Sequence, residues 1–173
     1  DANNIGLMML ESGEADGFIS GVNSPYKEVL DMAKEIVGLR PCCRYAAGMH
    51  IATTKRGTYF LADTTVNSHP TAEVLECVTV LAYEAVKQFD VDPVIAMTSY
   101  SNFGEYRQGS PEQVQTTVRE LHNKYPEILV DGEMHASMAF NKALRMKEYP
   151  FSILGDKDVN TIADYLAGKG YLN

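Results

Sequence analysis

Three short β-prone apolar runs of the sequence, 59–62, 94–97 and 128–130, each end in a cluster of small polar and acidic residues. The clusters read DTTVN, TSYSNFG and DGE, and each leads toward a stretch with helical spacing. Open α/β sheets bind ligands in the crevice beyond the carboxyl ends of their strands. The sequence therefore predicts a ligand site at one edge of a sheet, formed by these three clusters.

Three carboxylates, Asp63, Asp131 and Glu133, follow directly on the predicted strands rather than lying on a helix face. A metal site would need two or three of them to converge, with histidine or water completing the ligand set. The alternative is that they cap helices or tie neighbouring loops together through backbone N–H groups, which is common for Asp at such ends. We interpret all three as loop-ordering residues and expect no metal site.

The segment 99–104 combines hydroxyls, an amide and a glycine between a predicted strand and a predicted helix, which is the composition of an anion-contacting loop. It lacks the spacing of a P-loop or of a dinucleotide fingerprint, and an ordinary polar turn explains it equally well. The four histidines show no metal-ligand spacing, and neither Ser24 nor Ser101 lies in a G-x-S-x-G context. These patterns predict no catalytic residue.

Charge and cysteine content narrow the class of protein. The 173 residues carry a formal charge of −8, which argues against nucleic acid or an anionic membrane as a partner, because binding to phosphates depends on clustered cations. The three cysteines are odd in number and two are adjacent, which is typical of a reducing compartment.

No apolar run approaches the roughly 20 residues of a membrane helix. We expect a cytoplasmic protein, and the first residue, Asp1, suggests a fragment of a longer chain.

The chain alternates helical and β-prone segments, which predicts one α/β domain over 1–173. An antiparallel hairpin around the glycine-containing turn 54–57 makes the predicted sheet mixed. The predicted strands are 17–21, 45–53, 58–62, 94–97 and 128–130. The predicted helices are 5–10, 24–38 with Ser24 as its N-cap, 70–89, one from 110, 134–149 and 162–167.

Several segments, taken in order, carry a resemblance to a known family. They are GEADGFISG (13–21), IVGLRP (36–41), RGTYFLADTTVN (56–67), PTAE (70–73), SYSNFG (99–104) and VDGEM (130–134). The chain resembles the phosphate acetyltransferase and butyryltransferase family, and it is especially similar to the phosphotransacetylase-like C-terminal domain of bacterial NADP-dependent malic enzymes.

The resemblance implies a three-layer α/β fold of the isocitrate/isopropylmalate-dehydrogenase-like, phosphotransacetylase-like kind. In that family two α/β domains flank a cleft for coenzyme A and an acyl phosphate, and catalysis needs no metal. The sequence departs from the family in three places. It has Glu28-Val29-Leu30-Asp31 where transacetylases carry Thr-Val-Arg-Pro. The family's late Ser-Arg-Gly loop is missing, and so are the apolar strand and Pro-Asn turn expected after Asn160.

These departures weigh against acyl transfer by this chain. In the malic enzymes that it resembles, the domain is regulatory, so the resemblance implies a domain that senses acetyl-CoA and oligomerises. The alternatives are a phosphate acetyltransferase core and a structural dimerisation domain without a ligand. The resemblance implies two kinds of partner: an acetyl-CoA or acyl-phosphate effector, and further copies of the chain. NADP and a divalent metal are expected only in a preceding domain of the parent protein, with no cofactor in this one.

The predicted ligand-binding residues lie at the strand tips and in one neighbouring loop. From the tips we expect Thr64, Asn67, Ser99, Ser101 and Asn102 to line the ligand crevice. From the neighbouring loop we expect Ser20, Gly21 and Asn23 to supply backbone and amide contacts.

Overall fold

The structure, a computed structural model, describes residues 1–41 and 43–164. The chain divides into two compact units, Asp1–Arg44 and Tyr45–Asn173. The prediction of one domain over 1–173 stays a prediction. Part of the predicted last helix, 165–167, lies outside the described residues.

The first unit contains two helices that pack against each other, α1 (Ala2–Glu11) and α2 (Tyr26–Ile36). Asp1 is the N-cap of α1, and its carboxylate accepts a hydrogen bond from the Asn3 backbone N–H at 3.2 Å. Gly6 lets the ring of Phe18 lie against α1, because a Cβ at this position would be 2.5 Å from the ring.

Two predictions for this unit are wrong. Residues 17–21 form an irregular loop instead of a strand, since no other strand exists among the described residues of this unit to satisfy their backbone groups. The N-cap of α2 is Pro25 and not Ser24. The Ser24 hydroxyl instead accepts a hydrogen bond from the Asn3 side-chain amide at 2.8 Å, which removes it from the helix terminus.

The second unit is built on a five-stranded sheet in the order β1-β2-β5-β3-β4. Its strands are β1 (Met49–Thr54), β2 (Gly57–Ala62), β3 (Ile95–Thr98), β4 (Val130–Met134) and β5 (Thr161–Asp164). β1 pairs antiparallel with β2, and the pairs β2·β5, β5·β3 and β3·β4 are parallel. The predicted mixed sheet with one antiparallel hairpin is confirmed.

Strand β5 contradicts the prediction of a helix over 162–167 and of a missing strand after Asn160. It lies at the centre of the sheet, and Thr161, Ile162 and Ala163 are buried. Asn160 positions the start of β5 beside β3, because its side-chain oxygen accepts a hydrogen bond from the Val94 N–H at 2.9 Å. A segment of four residues is too short to show a periodicity that would distinguish strand from helix, so only pairing with β2 and β3 decides the conformation.

Helices cover both faces of the sheet and give the predicted three layers. Alternate residues of β3 show this arrangement: Ile95 and Met97 pack with residues of α3 (Ala72–Lys87) and α4 (Ser110–Lys124), whereas Ala96 packs with Met138 of α5. The second helical layer consists of α5 (Ala136–Ala139) and α6 (Lys142–Glu148). The predicted single helix 134–149 is therefore wrong. Asn141 divides it by capping α6, its side-chain oxygen accepting from the Leu144 N–H at 3.0 Å.

Candidate functional site

The carboxyl ends of four strands lie at one edge of the sheet, because β2, β5, β3 and β4 are mutually parallel. The loop 63–67 leaves β2 at this edge and the loop 99–104 leaves β3. We call this edge, with these two loops and the end of β4, the strand-tip edge. The structure thus brings together two of the three polar clusters as loops.

The third cluster lies inside β4 and not beyond it, which corrects the predicted strand end at Val130. Asp131 pairs with Ala96 and Gly132 with Met97, while Thr98 pairs with Met134. Glu133 is the extra residue of a β-bulge, and a bulge turns its side chain away from the regular alternation. Pairing with β3 extends the strand through an Asp-Gly-Glu sequence whose composition does not favour a strand.

Asp63 holds the loop that follows β2. Its Oδ1 accepts hydrogen bonds from the backbone N–H groups of Gly48, Thr65 and Val66 at 3.0 to 3.1 Å. Its Oδ2 accepts from the backbone and side-chain amides of Asn67 at 2.9 and 2.5 Å. The side chain is 7% exposed. A buried carboxylate with five donors fixes the path of residues 64–67.

Glu133 holds the loop that follows β3 in a similar way. It is fully buried, and its Oε1 accepts from the Ser101 hydroxyl at 2.8 Å and from the Gly104 N–H at 2.9 Å. Its backbone carbonyl accepts from the Phe103 N–H at 2.8 Å. Its second carboxylate oxygen, Oε2, has no hydrogen-bond partner among the described residues.

Asp131 connects β4 to the segment after α6. Its Oδ2 accepts from the Ser152 hydroxyl at 2.7 Å and from the Ile153 N–H at 3.0 Å, while Oδ1 accepts from the Gly132 N–H. Gly132 has φ 148°, and a Cβ there would lie 2.4 Å from the Met97 carbonyl oxygen. Only glycine permits this close approach of β3 and β4.

Most of the predicted ligand residues at the strand-tip edge are hydrogen bonded within the unit. The Ser101 hydroxyl also accepts from the Tyr106 N–H at 3.2 Å, and the Asn102 side-chain oxygen accepts from the His135 N–H at 2.8 Å. The Asn67 amide also donates to the Ala46 carbonyl at 2.9 Å, and the Thr64 hydroxyl is hydrogen bonded to His50 Nδ1.

Two of the predicted ligand residues at this edge, Ser99 and Asn102, keep a side-chain group without a partner. Ser99 is 1% exposed, and its hydroxyl makes no hydrogen bond with the described residues. The Asn102 Nδ2 makes no hydrogen bond with any residue that the structure describes. These two groups are therefore the candidates for direct contact with a ligand.

The other three predicted ligand residues belong to the first unit. The Ser20 hydroxyl donates to the Asn3 side-chain oxygen at 2.7 Å, and the Asn23 N–H donates to the Gly21 carbonyl at 2.7 Å. Ser20, Gly21 and Asn23 are exposed. Asn3 therefore connects α1 to both ends of the loop 20–24 through Ser20 and Ser24, a role that no sequence pattern indicates.

Arg145 is a fully buried cation that the sequence patterns do not indicate. It donates to the Ala139 and Lys157 carbonyls at 2.7 and 2.6 Å, and to the Gly155 carbonyl at 3.2 Å. Burial lowers the pKa of Arg145, while Asp158 and Asp131 oppose that shift. No sequence signal distinguishes it from the exposed cations of α6, because its partners are backbone carbonyls, six to twelve residues away, whose positions depend on the fold.

Two kinds of feature are absent from the described residues, a metal-binding cluster and a membrane-spanning helix. No group of three or more His, Cys, Asp or Glu side chains in residues 1–41 and 43–164 is arranged to hold a metal ion. Within the same ranges, every helix is too short or too polar to cross a membrane.

Comparison with known proteins identifies the family. The family model described as "Phosphate acetyl/butaryl transferase" matches residues 1–164. The chain belongs to the phosphate acetyl/butyryltransferase family. This confirms the resemblance on which the sequence analysis relied.

Relatives of two kinds share this family region. The NADP-dependent malic enzyme of Salmonella typhimurium is 35% identical over 150 residues, which cover 87% of this chain and 20% of that protein. The phosphate acetyltransferase of Bacillus subtilis is 30% identical over 173 residues, which cover 99% of this chain and 54% of that protein. The chain thus spans between a fifth and about half of the length of these relatives.

The fold of the family is shared as well. A phosphotransacetylase from Streptococcus pyogenes superposes with a TM-score of 0.88 at 27% identity, covering 99% of this chain and 53% of that one. The predicted phosphotransacetylase-like α/β fold is confirmed.

Proposed function

We propose that this chain is an acetyl-CoA-sensing and oligomerising domain of an NADP-dependent malic enzyme, and that the effector binds at the strand-tip edge. The identity of 35% with a malic enzyme of that type supports the assignment of the parent protein. In this proposal NADP, the divalent metal and malate oxidation belong to another part of the malic enzyme, and this domain transmits the level of the effector.

The observation that carries the proposal is the kind of polar group present at the strand-tip edge. Loops 63–67 and 99–104 contain hydroxyls, amides and backbone N–H groups but neither lysine nor arginine. Hydroxyls and amides suffice to bind a phosphate-bearing ligand. Transfer of an acyl group also requires preorganised stabilisation of the charge that develops on the reacting atoms, for which cations are well suited. The edge therefore supports binding better than catalysis.

The start of α2 supports the same view. Where transacetylases carry Thr-Val-Arg-Pro, this helix has Glu28 and Asp31. Asp31 forms an ion pair with Lys27 at 2.5 Å on the exposed surface, so the charge of this nearby cation is already compensated by a carboxylate. An acidic pair at this position does not favour an acyl phosphate.

The effector contacts are assigned to Ser99 Oγ and Asn102 Nδ2, the predicted ligand groups that have no partner among the described residues. Asp63, Asp131 and Glu133 hold the loops in place. Thr64, Asn67 and Ser101 contribute through the loop conformation that their hydrogen bonds fix. Ser20, Gly21 and Asn23 are exposed on the first unit, and their contact with the ligand stays a prediction from the sequence.

The test is titration calorimetry of acetyl-CoA with the chain and with two matched variants. Asn102→Asp keeps the oxygen that accepts from His135 N–H but replaces the amide donor with a charged oxygen that repels phosphates. Asn123→Asp makes the same change at an exposed position near the end of α4. We expect acetyl-CoA to bind to the wild type and to Asn123→Asp alike, and at least about tenfold more weakly to Asn102→Asp.

The outcomes separate the alternatives. Equal binding by both variants would remove the loop 99–104 from the site. An absence of heat and of any thermal shift at millimolar acetyl-CoA would favour a structural dimerisation domain without a ligand. Light scattering on the eluting protein tests the oligomerising part, for which we expect a dimer or larger assembly.

A second candidate is a phosphate acetyltransferase core that transfers an acetyl group between acetyl phosphate and coenzyme A. It is favoured by the match to the Bacillus subtilis phosphate acetyltransferase over all 173 residues. A coupled assay with acetyl phosphate and coenzyme A decides between the two. We expect no turnover, and turnover at ordinary enzyme rates would establish the second candidate.

A further inference from the structure

The β1–β2 side of the sheet contains a cavity of about 640 Å³ that none of the eight proposed effector residues lines. Its base is apolar, because Leu61 and Ile162 are register partners on the same sheet face and both border it. Tyr59 and Phe140 form one wall, with their rings edge to face at 5.1 Å. A volume of this size with a mostly apolar lining is typical of small-molecule sites.

One end of the cavity carries two cations. Lys55 and Arg56 occupy the turn between β1 and β2 and border the cavity. Neither forms an ion pair with any residue in the described part of the chain. Arg56 also borders a second cavity, of about 460 Å³, which shares Tyr59 and Phe140 with the first. In a chain of net charge −8, two uncompensated cations beside an apolar cavity favour an anionic ligand group there.

A buried hydroxyl borders the same cavity. The Thr98 side chain is 2% exposed, lies at the carboxyl end of β3 and has no hydrogen-bond partner for Oγ1 among the described residues. A buried hydroxyl without a partner costs free energy, and a ligand that supplies a partner recovers it. Since the hairpin turn precedes the first residue of β2 and Thr98 ends the parallel strand β3, the cations and the hydroxyl lie toward opposite edges of the sheet.

From these three observations we propose that the cavity binds an amphipathic anion, an aliphatic chain with an anionic head at Lys55 and Arg56 and a hydrogen-bonding group near its other end that meets Thr98. The chain of the ligand lies over Leu61 and Ile162. This site is distinct from the acetyl-CoA site proposed at the strand-tip edge and does not depend on it.

Titration calorimetry with 10-hydroxydecanoate, decanoate and decanol on the full chain tests the proposal. We expect 10-hydroxydecanoate to bind more tightly than decanoate, and decanol to bind at least about tenfold more weakly than decanoate because it has no charge for the cations. Equal binding of decanol and decanoate would overturn the assignment of the anionic head.

Two variants locate the ends of the ligand. Arg56→Gln should weaken decanoate binding about tenfold, whereas the control Arg119→Gln, an exposed cation on α4, should leave it unchanged. Thr98→Val replaces a hydroxyl that has no partner among the described residues with a methyl group of similar size, so we expect the variant to fold and the preference for 10-hydroxydecanoate over decanoate to disappear. Equal effects of Arg56→Gln and Arg119→Gln, or a preference that survives in Thr98→Val, would overturn the proposal.

Failure of this proposal and failure of the acetyl-CoA proposal are distinguishable. Asn102→Asp should leave decanoate binding unchanged, since Asn102 does not border the cavity. An absence of decanoate heat from a chain that still binds acetyl-CoA overturns only the cavity proposal.

Discussion

The Ser101 hydroxyl donates a 2.8 Å hydrogen bond to Glu133 Oε1, joining two residues 32 positions apart in a fully buried contact. The bulge in β4 aims the carboxylate at the loop that leaves β3, and the Gly104 N–H donates to the same oxygen. The conformation of the loop 99–104 is therefore determined by the neighbouring strand and not by the loop alone.

Replacement of Glu133 tests whether geometry or charge holds this loop. Glu133→Ala removes the acceptor of Ser101 and Gly104, and we expect the free energy of unfolding to fall by about 3 kcal/mol. Glu133→Gln keeps one acceptor oxygen and removes a buried charge whose second oxygen has no partner, so the loss should stay within about 1 kcal/mol. Urea unfolding measures both, and equal losses would show that the charge is required.

Asp63→Ala should destabilise the second unit through the loop after β2. The substitution leaves three backbone N–H groups without their acceptor on Oδ1 and frees Asn67, so we expect a loss of about 3 kcal/mol in unfolding free energy. Asp156→Ala, at an exposed position, is the control and should change it by less than about 0.5 kcal/mol. A loss for Asp63→Ala no larger than that of the control would contradict the role of Asp63.

Arg145→Lys should be costly although it keeps the charge. Lysine lacks the planar fork that contacts the Ala139, Gly155 and Lys157 carbonyls together, and it leaves some of these buried groups unsatisfied. We expect a loss of about 3 kcal/mol in unfolding free energy by chemical denaturation. Arg119→Lys on the exposed face of α4 should be nearly neutral, and similar values for the two substitutions would refute the interpretation.

Tyr149 gives a pH dependence with a defined sign. Burial raises the pKa of Tyr149, and its hydrogen bond to Glu105 at 3.0 Å adds to that effect. A phenol whose pKa is higher in the folded state contributes stability that is complete below its unfolded pKa of about 10 and is lost as pH rises through the folded value. Unfolding measured between pH 8 and 11 should therefore depend less on pH in Tyr149→Phe than in the wild type. The control Tyr106→Phe removes an exposed phenol and should keep the wild-type dependence.

The Asn102 amide shows why a simple apolar substitution is a poor test of the strand-tip edge. The sequence places Asn102 in a polar loop, where Asn102→Leu should affect only ligand binding. In the structure its side-chain oxygen accepts from the His135 N–H, so leucine also removes a contact between the loop and the start of α5. Asn102→Asp avoids this loss because it retains the oxygen.

Local sequence patterns were sufficient to predict an element where the segment is long and its spacing is regular. The apolar stripe of α3 and the glycine-containing turn between β1 and β2 are encoded within a few neighbouring residues, so the sequence predicts both. The same holds for the placement of loops 63–67 and 99–104 at one edge, since parallel strands present their carboxyl ends together.

Pairing between strands that are distant in the sequence determined the conformation of segments without such a local signal. Thr161–Asp164 is a strand only because it lies between β2 and β3, and Asp131 and Glu133 lie inside β4 only because β3 pairs with them. The sequence by itself determined the α/β class, the hairpin and the polar composition of the strand-tip edge. Only the tertiary structure decided which polar groups satisfy one another, because hydrogen bonds between residues tens of positions apart leave no periodic signal in the sequence. Within the described ranges it leaves the hydroxyls of Ser99 and Thr98 without partners.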